Sequence, residues 1–419
     1  MNTSDPKKVG LFVYDWGMYH YIKDLAIKLA EAGYFVDLFF KDWDVRPQYA
    51  DISEFDSYPT IRFFNFTTKI STRGVFIRRK DRLLNKIAML FSIPRNFPPQ
   101  KIIEGVLLKR SMEIIGTNQY YCFIGIEKKG LIWAGIISQI KNCPLIYYSL
   151  ELYLEDNPVL DRVYHLLATE REFHKKSLAT IIQDKLRAHA LLNCNGVLNT
   201  RILYLPVSSR GKVNSKRSFY LHDRLNIDRN KKIILYFGGL DKTRSIAEIV
   251  RSANNLDEDS VLVLHGFGPK HYIRHLKSIA DPQKVRFSFD FVPEEQILEL
   301  ISSAHIGIAI YKTSNLNDRL VAFSSSKIAY YMQCGVPMIT FDTESFRELA
   351  NSHHCLELIS RFDEIPQKTR LILANYDHYR QAAFDAYDNF YDFDKNFAKL
   401  VLDLESVLDS YYLHQTRKP

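Results

Sequence analysis

A chain of 419 residues is too long for one ordinary domain, so two domains of about 200 residues each are expected. Its five cysteines, Cys122, Cys143, Cys194, Cys334 and Cys355, are odd in number and lack CxxC spacing, which excludes a disulfide framework or a structural zinc site and fits reduced thiols in a cytoplasmic protein. The formal charge is +8, yet residues 69–113 alone carry eleven Lys or Arg against three acidic residues, an excess as large as that of the whole chain. The short polar start, residues 1–8, predicts no secretory leader, and no apolar run approaches the roughly 18 residues of a membrane span.

Residues 9–16 form a near-continuous apolar run, the pattern of a buried parallel strand. Gly17 follows, then apolar Ile22, Leu25, Ala26, Leu29 and Ala30 at helical spacing, stopped by Gly33 before a second strand at 35–40. This βαβ unit places the loop 15–20 at the carboxyl end of its first strand, where open α/β sheets take ligands. There Gly17 would let a ligand approach the backbone, and His20 is either a candidate acid or base or a helix-surface histidine. The basic run 69–113 is interleaved with Ile, Leu, Met and Phe, which suits anionic lipid headgroups. A solvated basic face is the plain alternative, and nucleic acid is disfavoured because no nucleic-acid module accompanies the run.

Beyond the basic run, 122–126 reads as a strand, 131–140 as a helix, and 144–149 and 179–183 as strands. Glu127 and Glu151 each stand just past a strand, so both belong at one edge of the sheet, where a carboxylate can bind sugar hydroxyls or act as a general base. Glu127, followed by two lysines, also fits a surface loop; Glu151, within Tyr-Ser-Leu-Glu-Leu-Tyr, has an apolar setting and is the preferred base. A strand at 203–207 closes this half, and the polar stretch 208–218 reads as a linker.

A second doubly wound unit opens with a strand at 233–237. Gly238 and Gly239 follow, then Lys242 and Arg244, then a helix with Ile246, Ile249, Val250 and Ala253 on one face. Bare backbone beside a guanidinium and an ammonium is a way to hold phosphates. The strand 261–265 ends in Gly266, Phe267 and Gly268, a bend where backbone can meet a flat base. A strand at 285–292, a helix at 294–303 and a strand at 306–311 lead to the run Ser324, Ser325, Ser326, Lys327. That run opens a helix with Ile328, Tyr331 and Met332 on its buried face, stopped by Gly335 ahead of a strand at 336–341. Serine hydroxyls, helix-start N–H groups and Lys327 together suit a diphosphate, although an ordinary serine cap beside a solvated lysine has the same pattern. Phe393, Phe397, Leu400, Val401, Leu404 and Leu408 lie on one face of a final helix.

The segments Gly-Gly-Leu-Asp-Lys-Thr-Arg-Ser-Ile (238–246), His-Gly-Phe-Gly (265–268), Phe-Asp-Phe-Val-Pro-Glu-Glu-Gln-Ile (289–297), Ile-Gly-Ile-Ala-Ile-Tyr (306–311) and Ser-Ser-Lys-Ile-Ala-Tyr-Tyr-Met-Gln-Cys-Gly-Val-Pro-Met-Ile (325–339) occur in that order. Together they resemble the donor-binding domain of GT-B glycosyltransferases, in particular the glycosyltransferase 4-like group. The likeness covers residues 233–341, and the first half resembles the family in architecture only. It implies an α/β fold of two doubly wound, Rossmann-like domains facing across a cleft. The expected parts are an acceptor-binding domain at 1–207, a linker at 208–218, a nucleotide-sugar-binding domain at 219–385, and a C-terminal helix crossing back with its tail at 386–419.

The same likeness implies a metal-independent hexosyltransferase or related enzyme, without a cofactor, that takes a nucleoside diphosphate sugar as donor. Lys242 and Arg244 would contact the diphosphate, Gly238 and Gly239 would admit it, and Ser325, Ser326 and Lys327 would hold it from the helix start. Phe267, Gly268 and Val292 would line the base. Glu151, Glu127 and His20 are the catalytic candidates. The acceptor would be a sugar or a lipid-linked polysaccharide precursor at the inner face of the cell membrane. Many relatives carry two glutamates separated by seven residues, and here their places hold Ala322 and Tyr330. That departure leaves two other readings open: a nucleotide-sugar epimerase of the same fold, and a non-catalytic sugar-nucleotide-binding partner. The Asp-x-Asp matches at 42–44, 257–259 and 392–394 lie in separate places and read as chance.

Overall fold

The computed structural model describes residues 7–14, 20–41, 52–66, 103–153, 166–208 and 210–416. The chain divides into two compact units, one made of Met1–Leu205 with Phe397–Pro419 and the other of Pro206–Asn396. Each is a parallel sheet flanked by helices, as the alternation of apolar runs and helical spacings predicts. The first sheet has seven strands in the order β3-β2-β1-β4-β5-β6-β7: β1 Lys8–Tyr14, β2 Phe35–Lys41, β3 Ile61–Asn65, β4 Cys122–Ile126, β5 Leu145–Tyr148, β6 Ala179–Ile182 and β7 Arg201–Tyr204. The second has six in the order β10-β9-β8-β11-β12-β13: β8 Lys232–Phe237, β9 Ser260–His265, β10 Val285–Ser288, β11 Ile306–Ile308, β12 Met338–Phe341 and β13 Leu356–Ile359.

Each strand order reverses once, between β1 and β4 in the first unit and between β8 and β11 in the second. Open parallel sheets bind ligands beyond the carboxyl ends of the strands at such a switch point. The central strands are buried along almost their whole length, which is why they read as unbroken apolar runs rather than alternating ones. Strands β10 and β11 stop short of the 285–292 and 306–311 expected, because the chain leaves the ladder there to form loops beyond the carboxyl ends of the strands.

The C-terminal helix, Phe393–Thr416, returns to the first unit, as the resemblance to GT-B glycosyltransferases implies. Phe397, Leu400, Leu404 and Leu408 are buried. Glu405 accepts hydrogen bonds from Lys7 Nζ at 2.6 Å and the Tyr34 hydroxyl at 2.9 Å. Tyr121 donates to Asp409 at 2.7 Å and stacks on Tyr412, with 5.6 Å between ring centroids. No helix among the described residues is long and apolar enough to cross a membrane.

The stretch expected as a linker at 208–218 belongs to the second unit. Asn214 N–H donates to Gln333 O at 2.7 Å, and Gln333 Nε2 donates to Lys212 O at 3.1 Å. Arg380 Nη2 reaches Ser215 O at 2.6 Å, and the Tyr387 hydroxyl reaches Gly211 O at 2.7 Å. A polar composition marked it as loop, and these bonds fix it. Most of the basic run 69–113 lies outside the described residues; Lys109 and Arg110 stand exposed on the helix Gly105–Ile115.

Leu404 is 1 % exposed. Leu404→Ala is expected to destabilise the first unit by about 2–5 kcal/mol, the range for a buried leucine that leaves a cavity. Denaturant unfolding followed by tryptophan fluorescence measures it, since Trp133 is buried in this unit.

Candidate functional site

In the second unit, two glycine loops beyond β8 and β9 lie against each other. Gly266 has φ 145°, and a Cβ on it would fall 1.9 Å from Gly238 O; one on Gly268 would fall 2.0 Å from Leu240 O. Only glycine fits such an approach. Gly238 N–H donates to His265 O at 3.0 Å, and Leu240 N–H to Phe267 O at 2.8 Å. The Asp241 carboxylate then accepts from Thr243 N–H at 2.7 Å, turning the chain into the short 3-10 segment Lys242–Arg244. Ser245 follows in the left-handed region at φ 54° and leads into the helix Ile246–Ala253.

Two cations meet at this edge. The Arg244 guanidinium lies 5.5 Å from the Tyr311 ring centroid and pairs at 3.5 Å with Asp318. Lys327 Nζ lies 4.4 Å from the Tyr236 ring centroid and 5.4 Å from that of Tyr311, aromatic faces being favourable seats for an ammonium. A Cβ on Gly238, whose φ is 141°, would come within 3.3 Å of that ammonium, so the lysine stands over bare backbone. Among the described residues no carboxylate pairs with Lys327. Burial first, and the charge of Arg244 second, pull its pKa down to about 7.

Ser325 caps the helix Ser326–Gln333 with extended backbone angles, but its hydroxyl bonds the Tyr311 hydroxyl at 2.7 Å and makes no cap bond. That departs from a serine cap, and it leaves the first N–H groups of the helix without a side-chain partner from Ser325. Gly239 O accepts from the Tyr236 hydroxyl at 3.0 Å. Lys242 is exposed on the 3-10 segment, and Ser326 opens the helix half-buried. Phe267 is 58 % exposed beside Gly268, whereas Val292 packs against the unit's core next to the exposed Phe291. The structure thus gathers Gly238, Arg244, Ser325 and Lys327 around Tyr236 and Tyr311. Sequence reasoning missed both tyrosines and Asp318, because an aromatic at the end of an apolar strand looks like core. Ala322 and Tyr330 are buried in the core, Ala322 O accepting from the Tyr391 hydroxyl at 2.9 Å.

In the first unit, Glu127 follows β4 directly at the switch point. It adopts φ 61°, rare outside glycine, and is buried, unlike the surface-loop alternative. Its Oε1 accepts from Leu150 N–H at 2.5 Å and Glu151 N–H at 2.9 Å. Burial pushes its pKa up to about 7, against Lys128 and the two amides, which favour the charged form. Lys128 is buried in an ion pair with Glu170 at 2.9 Å, and Glu170 also accepts from the Tyr147 hydroxyl at 2.8 Å.

Glu151 is half-buried just past β5. The fully buried Arg187 donates to Leu150 O at 2.6 Å and Gln183 Oε1 at 2.7 Å, while Gln183 Nε2 donates to Ser149 O at 2.7 Å. Burial lowers the Arg187 pKa, and the charge of Glu151 is the largest influence opposing it. His20 opens the helix His20–Glu31, where burial and then the charge of Lys23 pull its pKa down to about 4. It is therefore a neutral imidazole at pH 7 and a weak base. Gly17 lies outside the described residues.

No model of a known protein family matches the sequence, and no curated protein matches it. Solved structures do match, over nearly the whole chain. A sucrose-phosphate synthase from Thermosynechococcus elongatus superposes with a TM-score of 0.68 at 13 % identity, covering 96 % of this chain and 100 % of its own. A glycosyltransferase from Rickettsia africae gives 0.66 at 11 % identity, with 97 % and 99 % covered. Anabaena HepE in complex with UDP-glucose gives 0.64 at 15 % identity, with 95 % and 99 % covered. Two Rossmann-like units, each with its strand order reversing once, and a last helix returning to the first unit give this chain the GT-B fold of these glycosyltransferases.

Proposed function

We propose that the chain is a metal-independent glycosyltransferase that moves a hexosyl or related sugar from a nucleoside diphosphate sugar to an acceptor hydroxyl. The observation that carries the reading is the cation pair Arg244 and Lys327 beside the bare backbone of Gly238, with Lys327 lacking a carboxylate partner among the described residues. Holding two like charges together is unfavourable until an anion joins them. In the transfer, the acceptor oxygen bonds to the anomeric carbon while the bond from that carbon to the diphosphate oxygen breaks. The electron pair leaves on the diphosphate, where fixed cations and helix-start N–H groups stabilise it without a metal ion. Glu151 takes the acceptor proton. Phe267, Gly268 and Val292 receive the base, with Gly239, Lys242 and Ser326 around the phosphates. Anabaena HepE holds UDP-glucose in a chain of this fold, which makes uridine nucleotides the first donors to try.

A panel of nucleotide sugars, read by release of nucleoside diphosphate with and without sugar acceptors, tests the reading. Interconversion of the donor sugar instead would mean an epimerase, and binding without product would mean a non-catalytic partner.

Arg244→Ala and Lys327→Ala are each expected to weaken nucleoside diphosphate binding by about 1.5–3 kcal/mol, the scale of a charge-assisted hydrogen bond. Because Lys327 loses its proton as pH rises through about 7 in the free protein, affinity in the wild type should fall about tenfold between pH 7 and pH 8.5. Lys327→Arg stays charged and should lose that dependence. Calorimetry at the two pH values measures both effects, and unchanged affinity in both alanine variants rules out this diphosphate site.

The acceptor in this reading is a lipid-linked precursor of a polysaccharide, met at the cytoplasmic face of the membrane by the basic run 69–113. Co-sedimentation with liposomes should then rise with anionic lipid and fall with salt, and replacing Arg78, Arg79, Lys80 and Arg82 by Gln should remove most of it. Equal binding to neutral vesicles would leave the run a solvated face.

A further inference from the structure

The main chain just past β5 is held in a way that an ordinary loop is not. Ser149 N–H first donates to Ile181 O at 3.0 Å, extending the ladder with β6. The peptide unit joining Ser149 to Leu150 then has its carbonyl bonded by Gln183 Nε2 at 2.7 Å and its N–H by Glu127 Oε1 at 2.5 Å. The next unit, joining Leu150 to Glu151, has its carbonyl bonded by Arg187 Nη2 at 2.6 Å and its N–H by the same Glu127 oxygen at 2.9 Å. Two consecutive peptide planes are thus fixed at both ends by three side chains, all buried: Glu127, Gln183 and Arg187.

The holders are themselves held. Arg187 Nε bonds Gln183 Oε1 at 2.7 Å, and Asp184 caps the helix Lys185–Asn195 by accepting from Arg187 N–H at 2.9 Å. Glu127 sits at φ 61°, a backbone cost that persists only where the surroundings over-determine it. Its neighbour Lys128 supplies part of that constraint through the buried pair with Glu170. So much buried charge spent on two peptide groups is out of proportion to a need for stability, since buried ion pairs are weak stabilisers. It is in proportion to a need for precision, because catalytic geometry tolerates errors of about half an ångström.

We propose that Glu127 is a positioning residue, which with Gln183 and Arg187 clamps the turn Ser149–Glu151 so that the Glu151 carboxylate faces the acceptor hydroxyl. This rests on the glycosyltransferase reading and deepens it: of the two carboxylates at this edge, one takes the proton and the other fixes the first in place. One of the two Glu127 carboxylate oxygens, Oε1, is already engaged by two N–H groups of the clamped turn.

Gln in place of Glu127 keeps a carbonyl oxygen able to accept both amides but cannot take up a proton, whereas Ala removes the acceptor. In steady-state transfer assays, Glu127→Ala is expected to lower kcat about a hundredfold with the donor KM little changed. Glu127→Gln should bring kcat back to within about fivefold of wild type. Glu151→Gln should lower kcat by about two to four powers of ten, the contribution of a general base. If Glu127→Gln is as inactive as Glu151→Gln, then Glu127 is itself the base and the proposal is overturned; that variant decides alone if Glu127→Ala does not fold. A second readout does not depend on activity. Hydrogen–deuterium exchange of the segment 149–153 should be faster in Glu127→Ala than in wild type and near wild type in Glu127→Gln. Equal exchange in all three proteins would also overturn the clamp, even if no acceptor is found and the glycosyltransferase reading fails.

Discussion

Parallel strands buried on both faces leave a chain one place to gather polar groups, the edge where the strands give way to loops. Both units follow from that constraint. Within the sheets the ladder satisfies the backbone, and side chains such as Leu11, Phe39, Ile124, Leu235 and Leu262 are buried. Beyond the carboxyl ends, the first unit carries a glutamate at φ 61°, and the second carries glycines with positive φ and a lysine over two tyrosine rings. In each unit the strand order then selects where along the edge such groups gather, because helices diverge to opposite faces at the reversal and open a crevice there.

The two units handle charge in opposite ways. In the first, buried charges are matched: Lys128 with Glu170, and Asp37 with the bidentate guanidinium of Arg62 at 2.6 and 2.7 Å. Such matching costs desolvation and contributes a single geometry rather than much stability. In the second, Lys327 has aromatic faces and a neighbouring guanidinium in place of a carboxylate. Burial and a neighbouring guanidinium disfavour the charged form of that ammonium, and in the proposed function a polyanion would offset both.

Much of the fold was legible from spacing. Cys122–Ile126 was readable residue for residue, the glycine pair marked the end of β8, and the last helix showed its apolar face, while its return to the first unit was expected from the resemblance alone. The edge strands β3 and β13 were not, because their mixture of buried and half-exposed residues lacks both an unbroken apolar run and a clear alternation. In the candidate site, Gly238, Arg244 and Lys327 stood out as types that phosphate chemistry needs, whereas Tyr236 and Tyr311 did not, since nothing local separates an aromatic seat for a cation from a core residue. The burial of Glu127 was hidden for another reason. Two lysines after it suggested solvent, and only the fold reveals that Lys128 turns inward to Glu170. The run 208–218 looked like a tether because its restraint comes from Gln333, Arg380 and Tyr387, more than a hundred residues away.

The first unit is discontinuous in the chain: its last helix is made only after the whole of the second unit. A ribosome delivers β1 to β7 long before the residues that cover Tyr34 and Tyr121, and Lys7 waits 398 positions for Glu405. Until then the surface that receives Leu400, Leu404 and Leu408 is open and apolar, the kind of exposure that invites aggregation or chaperone capture. The second unit has no such delay, since Pro206–Asn396 emerges as one uninterrupted piece. The second unit is therefore able to finish before the first, whose covering helix is made after it. Closing so distant a contact carries a loop entropy that grows only slowly with length, and it is smaller still once the intervening residues have folded into a compact body.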